Sequence, residues 1–103
     1  MTTTPSLRHR IETAIETRQH TLDKATSYID GLTACPSQRA RESAHEAAQL
    51  CSVVHSQLAI VVALELRGEE TIATEAVDLA FFLLAMANDA LSASAFYIAH
   101  PEA

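Results

Sequence analysis

The stretch of sequence that decides the fold is residues 71–100, TIATEAVDLAFFLLAMANDALSASAFYIAH. At the rotation of about 100° per residue of an α-helix, its apolar residues cover roughly 220° of the circumference. Four of them follow one another at heptad spacing: Val77, Leu84, Leu91 and Ile98. A helix this apolar needs neighbours on several sides, and a chain of 103 residues supplies only some of them. The pattern therefore predicts an obligate neighbour, either a second copy or a different protein.

The first third of the chain predicts a helix over about residues 5–30. Thr4 followed by Pro5 is a typical helix start, because threonine caps the first turn and proline favours the first helical position. Gly31 is a typical stop. Arg18 interrupts the apolar seam that we expect this helix to bury. The members of that seam recur at spacings of four and three: Ile11, Ile15, Leu22, Ala25, Ile29 and Leu32.

The middle of the chain predicts a second helix over about residues 37–67, between the break at Cys35-Pro36 and the stop at Gly68. Its main seam begins with small residues, which let a neighbouring backbone come close: Ala40, Ala44, Ala47, Cys51, Val54, Leu58 and Val61. A second apolar line occupies another face of its later half: Leu50, Val53, Ile60 and Leu64. We therefore expect this half to be packed on two sides.

The third helix is predicted over about residues 70–99, and the very short turn before it makes helices 2 and 3 antiparallel neighbours. No stretch alternates with period two, and no hairpin signal occurs, so we expect no strand. The predicted fold is all-α, a single domain over residues 1–103 built as an up-down-up three-helix bundle. Its spare apolar surface predicts association through helices 2 and 3.

The sharpest anomaly of helix 3 is a pair of aromatic residues on its polar side. Phe82 and Phe96 fall inside a stripe whose acidic members are Glu75, Asp78 and Asp89. Exposed aromatic residues with a charged rim are typical of interface hot spots. These five residues are the predicted interface, and symmetric self-association is the commonest outcome for such a surface. In the alternative interpretation, helix 3 is central and both rings belong to the core.

The charge of the chain is unevenly distributed along its length. The formal net charge is −6, from 7 basic and 13 acidic residues, and no Lys or Arg follows Arg67. On helix 1, four acidic residues spaced by four, seven and seven project from one face: Glu12, Glu16, Asp23 and Asp30. This acidic stripe suits a partner protein with a basic face. The alternative is an ordinary solvated helix face.

The histidines and cysteines predict no metal site. His45 begins a sequence that ends in Gln49 where the His-Glu-x-x-His zinc signature needs a second histidine. Glu42 and His45 form one Glu-x-x-His pair, whereas di-iron bundles need two such pairs and two further glutamates. Cys51 and His55 lie one turn apart, but two ligands do not make a zinc site. No other cofactor motif is present in the sequence.

The sequence also predicts no enzyme. It has neither a Gly-x-Ser-x-Gly turn nor a glycine-rich phosphate loop. Arg39 and His45 resemble the Arg-x(4–6)-His pattern of HEPN-class ribonucleases, which implies RNA cleavage across a dimer interface. The resemblance covers these two residues only. The net negative charge of the chain disfavours RNA binding, because contacts to phosphates need a concentration of Lys and Arg. We expect no direct nucleic-acid contact and no small-molecule substrate.

The expected location is the cytoplasm, without a membrane anchor. The start of the chain lacks the apolar core of a signal peptide, and the longest uninterrupted apolar run, residues 79–87, is far shorter than the roughly 20 residues of a membrane span.

The sequence favours a non-enzymatic, homodimeric interaction module with a structural or regulatory role. The alternative is a protein-directed inhibitor of phage or mobile-element type, such as an anti-CRISPR protein, an immunity protein, an antitoxin or a nucleic-acid mimic. The chain resembles these proteins in size, charge and lack of enzymatic motifs.

Overall fold

The computed structural model of the chain describes residues 6–31 and 37–100, which contain three helices and no strand. Helix α1 spans Leu7–Gly31, α2 spans Gln38–Leu66 and α3 spans Glu70–Ala99. The prediction of an all-α, three-helix fold is confirmed, and the helix bounds agree with the predicted ones to within two residues. The predicted start of helix 1 at Thr4-Pro5 and the seam residue Leu32 lie outside the described residues.

Local side-chain and backbone chemistry sets both ends of α2. At its start, the Ser37 hydroxyl accepts a hydrogen bond from the Ala40 amide at 3.2 Å, as an N-cap does. At its end, Gly68 has a φ of +77°, a value that glycine adopts without strain. The amide of Gly68 donates to the Glu65 carbonyl, and the amide of the following residue donates to the Leu64 carbonyl, both at 3.0 Å. This Schellman arrangement reverses the chain directly into α3.

Helices α2 and α3 form an antiparallel hairpin. Near the turn, Gln57 Nε2 donates to the carbonyl oxygen of Ala76 at 3.0 Å. At the far end, the buried Ser94 hydroxyl donates to the carbonyl oxygen of Ala40 at 2.8 Å. Both bonds join a side chain of one helix to the backbone of the other, so the two helix axes lie close together along their whole length.

Helix α1 packs across one side of this hairpin. It runs antiparallel to α2, because Arg8 at its start pairs with Glu65 at the end of α2, with 3.3 Å between Nη2 and Oε1. It runs parallel to α3, because Arg10 pairs with Asp78 in the early part of α3. The helices therefore run up, down and up, as the sequence predicts.

The core is built on small residues where α2 and α3 meet. All seven residues of the predicted main seam of α2 are buried, which confirms that prediction. Opposite them on α3, Val77, Leu84 and Leu91 are buried, whereas Ile98 is 42% exposed. Alanines with no exposed surface recur along both helices: Ala40, Ala44, Ala47, Ala73, Ala80 and Ala87.

The buried line of α1 differs from the predicted seam. Ile15, a predicted seam residue, is 49% exposed, while Ala14 and Thr21 are buried in its place. The line that faces the hairpin passes through Arg18, which is half-buried and donates from Nε to the carbonyl oxygen of Cys51 at 2.9 Å. A long arginine side chain fits such a line because its stem packs on apolar neighbours while its head reaches a polar atom. The prediction for Ile15 is therefore wrong.

The molecule is elongated and exposes much surface for its mass. Its radius of gyration is 16.0 Å, against about 13 Å expected for a compact domain of this length. Its accessible surface is 6606 Å², against about 5,700 Å² expected for a monomer of 11.1 kDa. Three long helices in one thin layer leave much of their circumference uncovered.

Enlarging a small residue in the hairpin seam tests the close approach of α2 and α3. The variant Ala44→Leu is expected to lose about 1–3 kcal/mol of unfolding free energy, because the added atoms push the two helices apart. Ala63→Leu makes the same change at an exposed position of α2 and should leave the free energy nearly unchanged. Urea unfolding followed by circular dichroism measures both. Equal stability of the two variants would contradict the close packing.

Candidate functional site

One side of the α2–α3 hairpin carries a row of large apolar side chains that α1 does not cover. We call this surface the open face and define it by five residues that are 41–53% exposed: Val53, Ile60, Ile72, Leu79 and Met86. Its α2 members lie roughly 180° around that helix from Cys51, the residue whose carbonyl α1 contacts. Its α3 members lie roughly 140–180° around that helix from Phe81, which faces α1 through Arg10, 5.6 Å from its ring centroid.

The two helices place these five side chains on the same side of the hairpin at matching levels. The hydrogen bond between Gln57 and α3 sets the level of one helix against the other, so Ile60 lies level with Ile72 and Val53 lies level with Leu79. The members on each helix are spaced by seven residues, which keeps them in one line along a packed helix. The row on α3 extends for about 20 Å, at a rise of 1.5 Å per residue.

Phe82 lies beside the open face, whereas Phe96 does not. Phe82 is 62% exposed and is placed three residues after Leu79 and four before Met86, so the three side chains are surface neighbours. Phe96 is 53% exposed but lies about 21 Å farther along α3. Its ring contacts that of His100, with 4.6 Å between the ring centroids. Both rings are exposed in this chain, and a role in an interface stays a prediction for each.

The three acidic residues of the predicted interface differ in their ion pairing. Asp78 turns towards α1, where Arg10 neutralises its charge. Glu75 and Asp89 are exposed, and neither forms an ion pair within residues 6–31 and 37–100. Their positions on α3 flank Phe82, seven residues before and after it. The structure therefore keeps all three acidic residues near Phe82, with Asp78 paired to α1, and leaves Phe96 elsewhere.

The open face was not among the site residues that the sequence singled out. The second apolar line of α2 was expected to be packed, yet Val53 and Ile60 are half exposed while Leu50 and Leu64 are half-buried. The signal in the sequence is the seven-residue spacing of these residues and of their counterparts on α3. The spacing shows a second line of apolar residues, but it does not show on which side α1 packs.

The acidic stripe of α1 is exposed along its whole length, at Glu12, Glu16, Asp23 and Asp30. Gln19 lies between its members and donates from Nε2 to Asp23 Oδ1 at 2.9 Å.

Of the two residues that resemble the HEPN pattern, Arg39 lies over the ring of Tyr97, 5.7 Å from its centroid, and His45 is exposed. Within the described parts of the chain, no three His, Cys, Asp or Glu side chains converge as a metal site requires.

Cys51 lies in the centre of the hairpin seam. Burial raises the pKa of its thiol above the ordinary value, and the positive charge of Arg18 acts in the opposite direction without cancelling that effect. The thiol is therefore protonated at neutral pH. Because thiolates are the reactive form of cysteine, this residue is suited to packing and not to nucleophilic chemistry.

Both hairpin helices are also long and apolar enough to cross a membrane, judged by length and composition alone. The core helix of a soluble protein passes the same test, but most of such a helix is buried. Here only 28% of the qualifying window of α2 and 33% of that of α3 are buried within the chain. Packing inside one copy of the chain therefore leaves the apolar character of these helices unexplained.

Comparison with known proteins gives no match to a family model, to a curated protein or to a solved structure. Two features of the chain itself offer binding surfaces: the open face on one side of α2, and the polar and apolar residues where α1 meets α2 on the other.

The reactivity of Cys51 tests the seam directly. The variant Cys35→Ser leaves Cys51 as the single thiol of a chain with two cysteines. Because its raised pKa lowers the thiolate fraction and burial blocks access, native protein at pH 7.5 should react with a disulfide reagent at least tenfold slower than the same protein in urea. Absorbance of the released thiol measures both rates. Equal rates would contradict a buried, protonated Cys51.

Proposed function

We propose that this protein is a non-enzymatic interaction module that forms a homodimer through its open face and acts in a structural or regulatory role. One observation carries the proposal: five large apolar side chains that are 41–53% exposed lie on the same side of the hairpin, at matching levels of α2 and α3. Contiguous apolar patches of this kind mark interaction sites in soluble proteins, whereas scattered exposed apolar residues do not. Phe82 at the edge of the face adds an aromatic anchor of the type that is common in hot spots.

The exposed area is large enough for a specific dimer. A large apolar side chain that is about half exposed leaves ~100 Å² uncovered, so two copies of the open face with Phe82 would bury about 1,200 Å². This value equals the lower limit of stable protein–protein interfaces, about 1,200 Å² in total. Glu75 and Asp89 lie at the edge of this surface, where a charged rim stays in contact with water.

The seven-residue spacing on both helices supports a partner that is itself helical. Lines of apolar residues at this spacing pack against similar lines on neighbouring helices that cross at about 20°. In a two-fold dimer, each copy would offer the same surface to the other. The two hairpins would then form a four-helix core, and α1 would lie on the outer side of each copy.

A lipid surface is a poorer partner for the open face than a second copy. Glu75 and Asp89 flank Phe82, so burying the ring in hydrocarbon would draw two carboxylates towards the bilayer interior, where charged groups are costly. In a protein interface, the same carboxylates remain hydrated. We therefore keep the cytoplasm as the proposed location.

A charge placed on the open face should separate the copies. We expect Leu79→Asp to weaken self-association at least tenfold, because the new carboxylate would be buried against apolar side chains. Leu79 is 47% exposed in the single chain, so the variant should still fold. Sedimentation velocity across a concentration series measures the association, and circular dichroism verifies the fold.

The matched control is Ile98→Asp, at a similarly exposed position near the far end of α3. It adds the same charge outside the open face and should leave the association unchanged. Wild-type protein that sediments as a monomer at micromolar concentration, or equal effects of Leu79→Asp and Ile98→Asp, would contradict the proposal. Flotation with liposomes identifies the case in which lipid covers the face.

A second candidate function rests on the acidic stripe. Its four carboxylates are all exposed on α1, on a helix that the proposed dimer leaves on the outside. Such a stripe supports a protein-directed inhibitor that binds a basic surface of its target. In this candidate function, the hairpin dimer serves as the scaffold that presents the stripe.

Charge reversal of the stripe distinguishes this second function from the first. Replacing Glu12, Glu16, Asp23 and Asp30 by lysine should abolish the capture of any salt-sensitive partner in a pull-down. The dimer should persist in sedimentation. A narrower pair of variants is matched in charge. Glu12→Lys with Glu16→Lys should weaken capture, whereas Glu69→Lys with Glu70→Lys, on exposed positions at the turn between α2 and α3, should not. A partner that binds every variant equally would exclude the stripe as its site.

A further inference from the structure

A second apolar surface lies on the side of α2 that faces α1. It is a groove of about 490 Å³, within the range of about 300–1,000 Å³ that is typical of small-molecule sites. Its lining is mostly aliphatic and comes from α1 and α2: Ile15, Arg18, His55, Leu58, Ala59 and Val62. The groove contains no aromatic ring except the imidazole, so its shape suits a flexible aliphatic chain better than a flat ring system.

Arg18 is the one permanently charged residue of this groove. Its Nε donates to the Cys51 carbonyl at 2.9 Å, which fixes the plane of the guanidinium. The ion pairs of the described residues belong to other arginines, so Arg18 is half-buried without a carboxylate partner there. Taking an unpaired charge partly out of water is unfavourable. An anion that enters the groove would remove this penalty.

We propose that the groove binds a medium-chain fatty acid, with its carboxylate on Arg18 and its alkyl chain between α1 and α2. Because Nε is engaged with Cys51, the two terminal nitrogens of Arg18 remain to hold a carboxylate by two parallel hydrogen bonds. His55, which also lines the groove, lies one helical turn after Cys51 on α2 and is the other polar residue of the lining.

The length of the groove and the net charge of the protein both indicate which class of ligand fits. From His55 to Val62 the groove follows seven residues of α2, or about 10 Å, which is the length of a medium alkyl chain. The net charge of −6 repels anions in general, and it repels a singly charged carboxylate less than a doubly charged phosphate. One arginine also balances one carboxylate. The alkyl chain gains from burial against aliphatic side chains, as apolar groups do in water.

The groove and the open face lie on opposite sides of α2, so the two proposals stand independently. A ligand in the groove contacts α1 and α2, whereas the proposed dimer contacts α2 and α3. The variant Leu79→Asp should therefore still bind the fatty acid when it no longer forms a dimer. If that variant failed to bind while it remained folded, the independence of the groove would be disproved.

The experiment is a titration of the protein with decanoate, measured by isothermal titration calorimetry at decanoate concentrations below the critical micelle concentration. We expect saturable binding with one ligand per chain, and at least tenfold weaker binding by Arg18→Met, which keeps the length of the side chain but removes the charge. Lys24→Met removes an exposed charge from the same helix and should bind like the wild type. Equal affinity of wild type and Arg18→Met would overturn the proposal.

Two further arms keep the test decisive if Arg18→Met does not fold. Ile15 is 49% exposed, so Ile15→Asp should fold, and its carboxylate should exclude the ligand from the groove. Decanol and decyltrimethylammonium carry the same alkyl chain without the anionic head and should bind at least tenfold more weakly than decanoate. Binding of decanoate to Ile15→Asp, or equal binding of decanol and decanoate to the wild type, would overturn the assignment.

Discussion

The close antiparallel approach of α2 and α3 is the constraint on which the rest of the molecule depends. Alanines at the seam let the two backbones come near enough for Ser94 to reach the carbonyl oxygen of Ala40 at 2.8 Å. This arrangement buries the alanines together with larger residues such as Val54, Val77 and Leu84 between the helices, and the remaining large apolar residues lie on the flanks of the hairpin. One flank is occupied by α1, and the other flank is the open face. The surfaces with functional interest thus follow from the size of the seam residues.

The way α1 is attached explains why the two flanks differ. This helix has few large apolar residues and is held partly by polar contacts, which include the ion pairs Arg8–Glu65 and Arg10–Asp78 and the hydrogen bond of Arg18. Exposed ion pairs contribute little to stability, so most of the attachment comes from the short buried line of α1. A narrow helix on a broad hairpin leaves a groove along its edge. That groove contains the guanidinium of Arg18, which has no carboxylate partner among residues 6–31 and 37–100.

The fold was predictable because the periodicity of α2 and α3 is strong and their ends carry clear signals. Gly68 and Ser37 mark the ends of α2, and all seven residues of its main seam are buried as expected. The seam of α1 is predicted less well, because Arg18 interrupts the apolar spacing although it is half-buried in the line that faces the hairpin. The exposure of the open face could not be predicted from the sequence, for a different reason. Periodicity identifies apolar lines on one helix, but only the packing of α1 decides which line stays exposed.

The polar outer surface of α1 has a consequence for how many copies can assemble. A hairpin without α1 would have apolar residues exposed on both flanks. Such hairpins could stack without limit, because each added copy would present another uncovered apolar surface. By occupying one flank and turning carboxylates outward, α1 converts a two-sided unit into a one-sided one. One-sided units close into finite pairs and stop growing, whereas two-sided units form filaments. In the proposed homodimer, the first helix would therefore limit the assembly to two copies.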